Sequence, residues 1–363
     1  MAHPSPYLTA PISKVTIDKG QGRYKFAAAN CQGWRVTQED AHLAVPDFDV
    51  NTSLFAVFDG HNGPEVARYM AAHFAAYLKK NSNYIRGQVK RGVQEVFMEL
   101  DEAVKANEDA KKELLKYRHE AGHKPAEGPN QMDVATLTGC TGVVLLIKND
   151  IYYTANVGDS RCLLARDGAA LQLSKDHKAE DVEEKARIEK AGGSVINGRI
   201  NGIIDVSRAF GDHHFKANPQ LNSKEQMITA WPFTDVRAAE STSDAFLVLI
   251  CDGIWNAMAN QEVVDFIKQR LAAKKKLEQI AEEAIVRILP KEMPSQGIAG
   301  KDNMTLMIIV MEPLTPKSKD ASLKTNSKQS QKSQIASRKS SVDRKACRVK
   351  SKDGSKNTKK KSK

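Results

Sequence analysis

The chain has 363 residues, of which 41% are hydrophobic and 27% charged, enough apolar content for a substantial core in one large domain or two. Its net charge of +11 is an uneven average. Residues 314–363 hold 17 Lys and Arg against Asp320, Asp343 and Asp353, so this tail carries +14 and the preceding residues −3. Cys31, Cys140, Cys162, Cys251 and Cys347 are odd in number and lack CxxC spacing, which argues against a disulfide framework and a zinc site and fits a reducing cytoplasmic or nuclear compartment. No apolar run approaches the roughly 18 residues a membrane span needs. The N-terminus shows no signal pattern, and Ala2 replaces the Gly that myristoylation requires.

In chain order, residues 1–22 contain Pro4, Pro6 and Pro11 without periodicity and are expected to be a flexible lead-in to a folded domain over 23–313. Strands are expected at Leu54 to Phe58, Thr141 to Ile147, Ile151 to Val157, Arg161 to Ala165, Ala245 to Cys251 and Thr305 to Val310, all short β-branched and aliphatic runs bounded by Gly, Asn and Asp. Lys148, Asn149 and Asp150 read as one hairpin turn, and the VGDSR segment as another. Pro64 and Glu65 open a helix carrying Val66, Met70, Phe74 and Tyr77 to Lys80, and Val89, Val93, Val96, Leu100 and Val104 mark a second. Asn260 is expected to cap a helix with Val263, Val264, Ile267 and Leu271, and a last helix runs from Leu277 to Leu289 and stops at Pro290. The His119 to Gln131 stretch reads as a surface excursion. Segregated strands and helices favour an α+β fold with antiparallel sheets and helices stacked outside. Residues 314–363, lacking aromatics and nearly lacking aliphatics, are expected to be disordered.

Three aspartates stand at strand ends: Asp59 in LFAVFDGH, Asp252 in FLVLICDG and Asp302 in KDNMTLMIIV. A buried strand ending in Asp-Gly delivers a carboxylate to a sheet edge, where an unpaired charge is costly unless it meets a cation. Three such deliveries imply a shared metal site, and hard oxygen ligands suit magnesium or manganese.

The segments GWRVTQEDAH, VFDGHNG, GCTG, VGDSR, SRAFGD, CDGIWN and KDN occur in an order and spacing that resembles the protein phosphatase 2C family of metal-dependent serine/threonine phosphatases, from about Tyr24 to Met311. The resemblance implies a four-layer sandwich of two antiparallel sheets between helical layers. It also implies two ions of Mg2+ or Mn2+ per site, bridged by Asp59. The carbonyl of Gly60 binds one ion, Asp252 and Asp302 the other, and Glu39 and Asp40 hold metal-bound waters. Two such metals neutralise a phosphate monoester and present a bridging hydroxide for in-line attack. Glu39 and Asp40 alone would read as a solvated acidic pair; beside Arg35 the metal reading is preferred. Arg35 has the guanidinium fork that matches a phosphoryl group, and the resemblance assigns it that role. His61 is expected to protonate the leaving oxygen, with helix capping as the alternative. Thr141 is a supporting residue. The Ser207 to Asp212 stretch and Arg199 are limited to substrate-side contacts. The family often has Asp where this chain has Asn256, which weakens a third metal site shared with Asp159 and Asp252. Asp205 is also unusual in its place and is expected to be a solvent-facing loop residue. Cys251 is expected to be buried.

The Lys/Ser-rich tail could attract acidic partners or nucleic acid electrostatically, without base stacking. Ser340 and Ser341 after Arg338 and Lys339 resemble a basophilic kinase site. A monomeric protein-serine/threonine phosphatase acting on phosphoproteins is the expected function. The alternatives are a catalytically weak scaffold and a protein that binds anionic partners through its tail.

Overall fold

Thr52–Phe58 is buried at every position, as expected of a strand covered on both faces. It lies in a five-stranded antiparallel sheet with the strands ordered Phe233–Ala238, Ile151–Val157, Gly142–Lys148, Thr52–Phe58 and Ala41–Asp49. A six-stranded antiparallel sheet has the order Tyr7–Gln21, Lys25–Arg35, Met304–Val310, Asp244–Ile250, Arg161–Arg166 and Ala169–Gln172. The computed structural model describes residues 5–122, 133–295 and 297–311.

Between the sheets, alternate residues interdigitate. Phe26 and Phe55 have ring centroids 5.8 Å apart, and buried Tyr152 donates to Asp244 Oδ2 at 2.9 Å. The opposite face of the five-stranded sheet, with Leu54, Ala56, Phe58, Val144 and Leu146, packs on Val66, Met70, Phe74, Val93, Phe97 and Leu100. Those residues belong to helices Glu65–Lys80 and Val89–Ala106. Helices Asn260–Ala272 and Leu277–Ile288 cover the six-stranded sheet. The expected α+β architecture of two sheets between helical layers is therefore present.

The Asn149-Asp150 turn joins Gly142–Lys148 to Ile151–Val157, with Lys148 opposite Ile151 and both turn residues at positive φ (50° and 61°). That is the twist a two-residue hairpin demands. The VGDSR segment is not a hairpin. Ile151–Val157 and Arg161–Arg166 lie in different sheets, so Gly158 to Ser160 carries the chain across the sandwich. Gly158, at φ +79°, packs where a Cβ would come 2.5 Å from Thr141 Cβ.

The described part of residues 1–22, from Ser5, also departs from expectation. Tyr7–Gln21 pairs along Lys25–Arg35 as the sheet's edge strand, with register shifts around Ile12. Pro11 and the lysines are compatible with an edge, where one row of backbone groups needs no partner strand. Asn260 is not a cap either. Ala259 occupies that position, its N–H held by Glu262 Oε2 at 2.8 Å. The Asn260 side chain instead accepts from Arg161 and donates to Gln172. His119 and Glu120 end an unanticipated helix, Glu108–Glu120, capped by the Asn107 side chain. The rest of that excursion beyond Gly122, like the 314–363 tail with Ser340, Ser341 and Cys347, lies outside the described residues.

Two small features shape one end of the sandwich. A three-stranded ribbon pairs Gly60–His61 with Gly139–Cys140, and the latter with Phe210–Gly211. A separate small core of Ala179, Ile188, Ile200, Ala209, Phe215 and Ile228 supports the segment that includes the Val195–Ile196/Arg199–Ile200 pair.

Candidate active site

The strand ends converge on a cleft of about 460 Å³. Arg35, Glu39, Asp59, Gly60, His61, Thr141, Asp159, Asp252 and Asp302 all line it. Asp40 lies behind them, accepting from Thr305 Oγ1 at 2.6 Å. Its Oδ1 is buried without a hydrogen-bond partner among the described residues.

Each carboxylate is delivered by pairing. Thr52–Phe58 ends at Asp59, whose carbonyl accepts the Thr141 N–H at 2.9 Å. Thr141 Oγ1 in turn meets Ser160 Oγ at 2.8 Å, so Thr141 supports the strand end. Asp244–Ile250 and Met304–Val310 are neighbours, which brings Asp252 and Asp302 together. Asn303 clamps the approach: its Oδ1 accepts the Glu39 N–H at 2.8 Å, and its Nδ2 donates to the carbonyls of Gln32 and Thr37. Glu39 also accepts from Thr37 Oγ1 and the Gly63 N–H.

The electrostatics of this cluster suit a cation. Burial raises Asp40 to about 7, with the Asp302 charge adding to it. Burial, then the charges of Asp40, Asp252 and Asp302, push Asp59 well above the usual carboxylate range. Asp252 is raised by burial and then by Asp159 and Asp302. Divalent cations would offset all three shifts, because they stabilise the charged carboxylates against both burial and mutual repulsion. The donor set is carboxylate oxygen, the chemistry of Mg2+ or Mn2+. Asp40, Asp59 and the Cys251 sulfur can come within 4.8 Å of one another. Cys251 is nevertheless buried, its thiol raised by burial, and it accepts from the Thr305 N–H at 3.1 Å. It is a packed thiol, as expected.

Arg35 Nη2 donates to Asp302 Oδ2 at 2.5 Å, and its guanidinium stands 5.7 Å from the Tyr7 ring centroid. His61 Nε2 is 2.7 Å from Asp212 Oδ2. Burial pulls the imidazole's pKa down, but the Asp212 charge and hydrogen bond outweigh it and hold it above the ordinary value.

The same fold recurs in solved structures. A phosphatase from Toxoplasma gondii superimposes with a TM-score of 0.65 at 26% identity, covering 83% of this chain and 96% of that one. The protein phosphatase 2C family model matches residues 24–291. This chain belongs to the protein phosphatase 2C family. "Probable protein phosphatase 2C 6" of Paramecium tetraurelia is 40% identical over 306 residues, spanning 84% of this chain and 98% of that protein. "Probable protein phosphatase 2C 5" of the same organism is 38% identical over 309 residues, spanning 85% and 99%.

Within this cleft, Asn256 and Asp205, the two residues singled out in the sequence, acquire surroundings. Asn256 Nδ2 donates to Asp252 Oδ2 at 3.2 Å. Asp159 is paired with the Lys178 ammonium at 2.5 Å, and Lys178 is 3.4 Å from Asp205. Asp205 is a half-exposed loop residue, as expected, and it also lines the cleft and stands 3.9 Å from Arg199. Lys178 was not anticipated, because a Lys after His177 carries no signal of what lies opposite it. Asp212, set aside with its whole SRAFGD segment, is the direct partner of His61. The Gly211-Asp212 pair was the available signal, since such dipeptides mark sharp turns.

Proposed function

We propose that this phosphatase 2C chain is an active protein-serine/threonine phosphatase that uses two divalent ions, Mg2+ or Mn2+, to hydrolyse phosphoserine and phosphothreonine in protein substrates. The observation that carries the reading is the convergence of five acidic side chains, Glu39, Asp40, Asp59, Asp252 and Asp302, with Arg35 and His61 at one cleft.

Asp59, Asp252, Asp302 and the Gly60 carbonyl would hold the ions, with Glu39 and Asp40 orienting their water ligands. A Cβ at position 60 would collide with the Glu39 carbonyl, so only glycine permits this approach. The bound ions supply charge neutralisation and lower the pKa of water toward neutrality. Arg35, anchored through Nη2, offers the rest of its fork to the phosphoryl oxygens. His61 gives a proton to the departing seryl or threonyl oxygen, which as an alkoxide is a poor leaving group. A third ion near Asp159 would compete with the Lys178 ammonium already seated there and would gain no charge from Asn256.

Phosphate release from a phosphothreonine peptide tests the reading, assayed with Mn2+, with Mg2+ and in EDTA. Turnover should require added metal and stop with the chelator. Full turnover after complete metal removal, or none with either ion, would refute it.

A further inference from the structure

We propose that Asp212 is the positioning residue of His61: it holds the ring by Nε2, so that Nδ1 is the atom that hands a proton to the leaving oxygen. The inference rests on the general-acid reading of His61 above.

The three-stranded ribbon builds the pair. His61 lies opposite Gly139, and Gly139 opposite Gly211, so the residue after Gly211 is aimed at His61 from across the ribbon. Asp212 turns into the left-handed region at φ 51° and ψ 38°, a conformation that Asp and Asn tolerate better than other non-glycine residues. Its N–H donates to the Thr138 carbonyl at 3.0 Å. The middle strand leaves space for the contact, because a Cβ on Gly139 would lie 2.6 Å from both Asp212 Cγ and His61 Nε2.

The turn stands on a rigid base. Asp101, within helix Val89–Ala106, accepts the Gly211 N–H at 2.8 Å and two bonds from Lys216 Nζ at 2.8 Å each. Lys216 also donates to the Ala209 carbonyl at 2.8 Å. The carboxylate of Asp212 is thus fixed by elements on both sides of it, and its side chain is 1% exposed while that of His61 is 25% exposed toward the cleft.

A carboxylate accepts, so Nε2 carries a hydrogen in this contact and the ring's remaining nitrogen, Nδ1, is free for chemistry. In the reaction the phosphorus–oxygen bond to the seryl oxygen breaks as the oxygen of a hydroxide, formed from water that has already released a proton to solvent, bonds to phosphorus. The electron pair left on the seryl oxygen takes the Nδ1 proton. Neutral imidazole remains, with its Nε2–H still donated to Asp212.

Asp212→Asn keeps the shape and removes the anionic acceptor. On phosphoserine peptides kcat should fall roughly 10- to 10³-fold, whereas aryl phosphates with acidic phenols should lose no more than about 3-fold. His61→Gln should discriminate the same way, and the double variant should lose little more than either single one. Equal losses on both substrates in Asp212→Asn, or no loss on either, while His61→Gln discriminates, would overturn the positioning role. Absence of discrimination in His61→Gln would instead remove the general-acid reading beneath it. A measurement on the unaltered Mg2+-loaded protein needs no variant to fold: 15N NMR of the His61 ring in its neutral form should show hydrogen on Nε2. A neutral ring protonated on Nδ1 would overturn the proposal.

Discussion

Replacing Asn256 by Asp places a carboxylate where an amide now donates to Asp252 Oδ2 at 3.2 Å. Two effects follow in the metal-free protein at a pH high enough to ionise Asp252, whose carboxyl is raised by burial and by its acidic neighbours. The hydrogen bond to a charged acceptor, worth about 1.5–3 kcal/mol, is lost, and two like charges meet at a separation where the repulsion is about 4 kcal/mol at an effective dielectric of 20. Asn256 is only partly buried, and solvent and salt reduce the repulsion to about 1–2 kcal/mol. A divalent ion bound between the carboxylates relieves that term. The metal concentration for half-maximal binding should therefore fall roughly 5- to 30-fold in Asn256→Asp, while the melting temperature in EDTA drops. Calorimetric Mn2+ titration at fixed ionic strength, beside thermal melts with and without EDTA, reads both. Overlapping titration curves would show that this position does not limit metal loading, and the argument would fail. A higher melting temperature in EDTA would show that the added carboxylate does not face Asp252.

Asp59→Asn should cost at least about a hundredfold in turnover on a phosphothreonine peptide, because it removes charge from the centre of the acidic cluster proposed to hold the metals; retained turnover would exclude Asp59 as a ligand. In EDTA the protein should lose stability as pH rises from about 5 to 8. Asp40 at about 7, and Asp59 and Asp252, both raised well above the ordinary range, keep protons in the fold that the unfolded chain has released, so their contribution is complete below about pH 4 and lost as pH passes the folded values. Denaturant midpoints across pH test this, and Mn2+ should abolish the trend; a midpoint rising with pH in EDTA would contradict it. Asp101→Ala strands the buried Lys216 ammonium and should destabilise the fold by about 3–5 kcal/mol, read as a lower urea midpoint at unchanged slope.

The layered architecture was legible because strands such as Thr52–Phe58 and Met304–Val310 are continuous apolar runs, while helix Val89–Ala106 shows its stripe of Val93, Val96, Leu100 and Val104. The strand Tyr7–Gln21 escaped notice because an edge strand is half exposed and tolerates Pro11 and charged residues. It is held by the register of Lys25–Arg35 rather than by a pattern of its own. Likewise VGDSR looks the same locally whether its flanking strands pair or diverge; only the sheet order decides.

The site divides along the same line. Asp59, Asp252 and Asp302 declare themselves because a charge at the end of a buried strand is anomalous in the sequence itself. Asp212, Lys178 and Asn303 are ordinary polar residues until folding sets each against a partner distant in the chain: Asp212 against His61, Lys178 against Asp159, Asn303 against Glu39. Sequence by itself determines which carboxylates must be neutralised, since burial follows from the apolar runs that carry them. Which group orients His61 and which ammonium reaches Asp159 are decided by tertiary structure, because hydrogen bonds and ion pairs act over a few ångströms and chain connectivity does not encode that proximity.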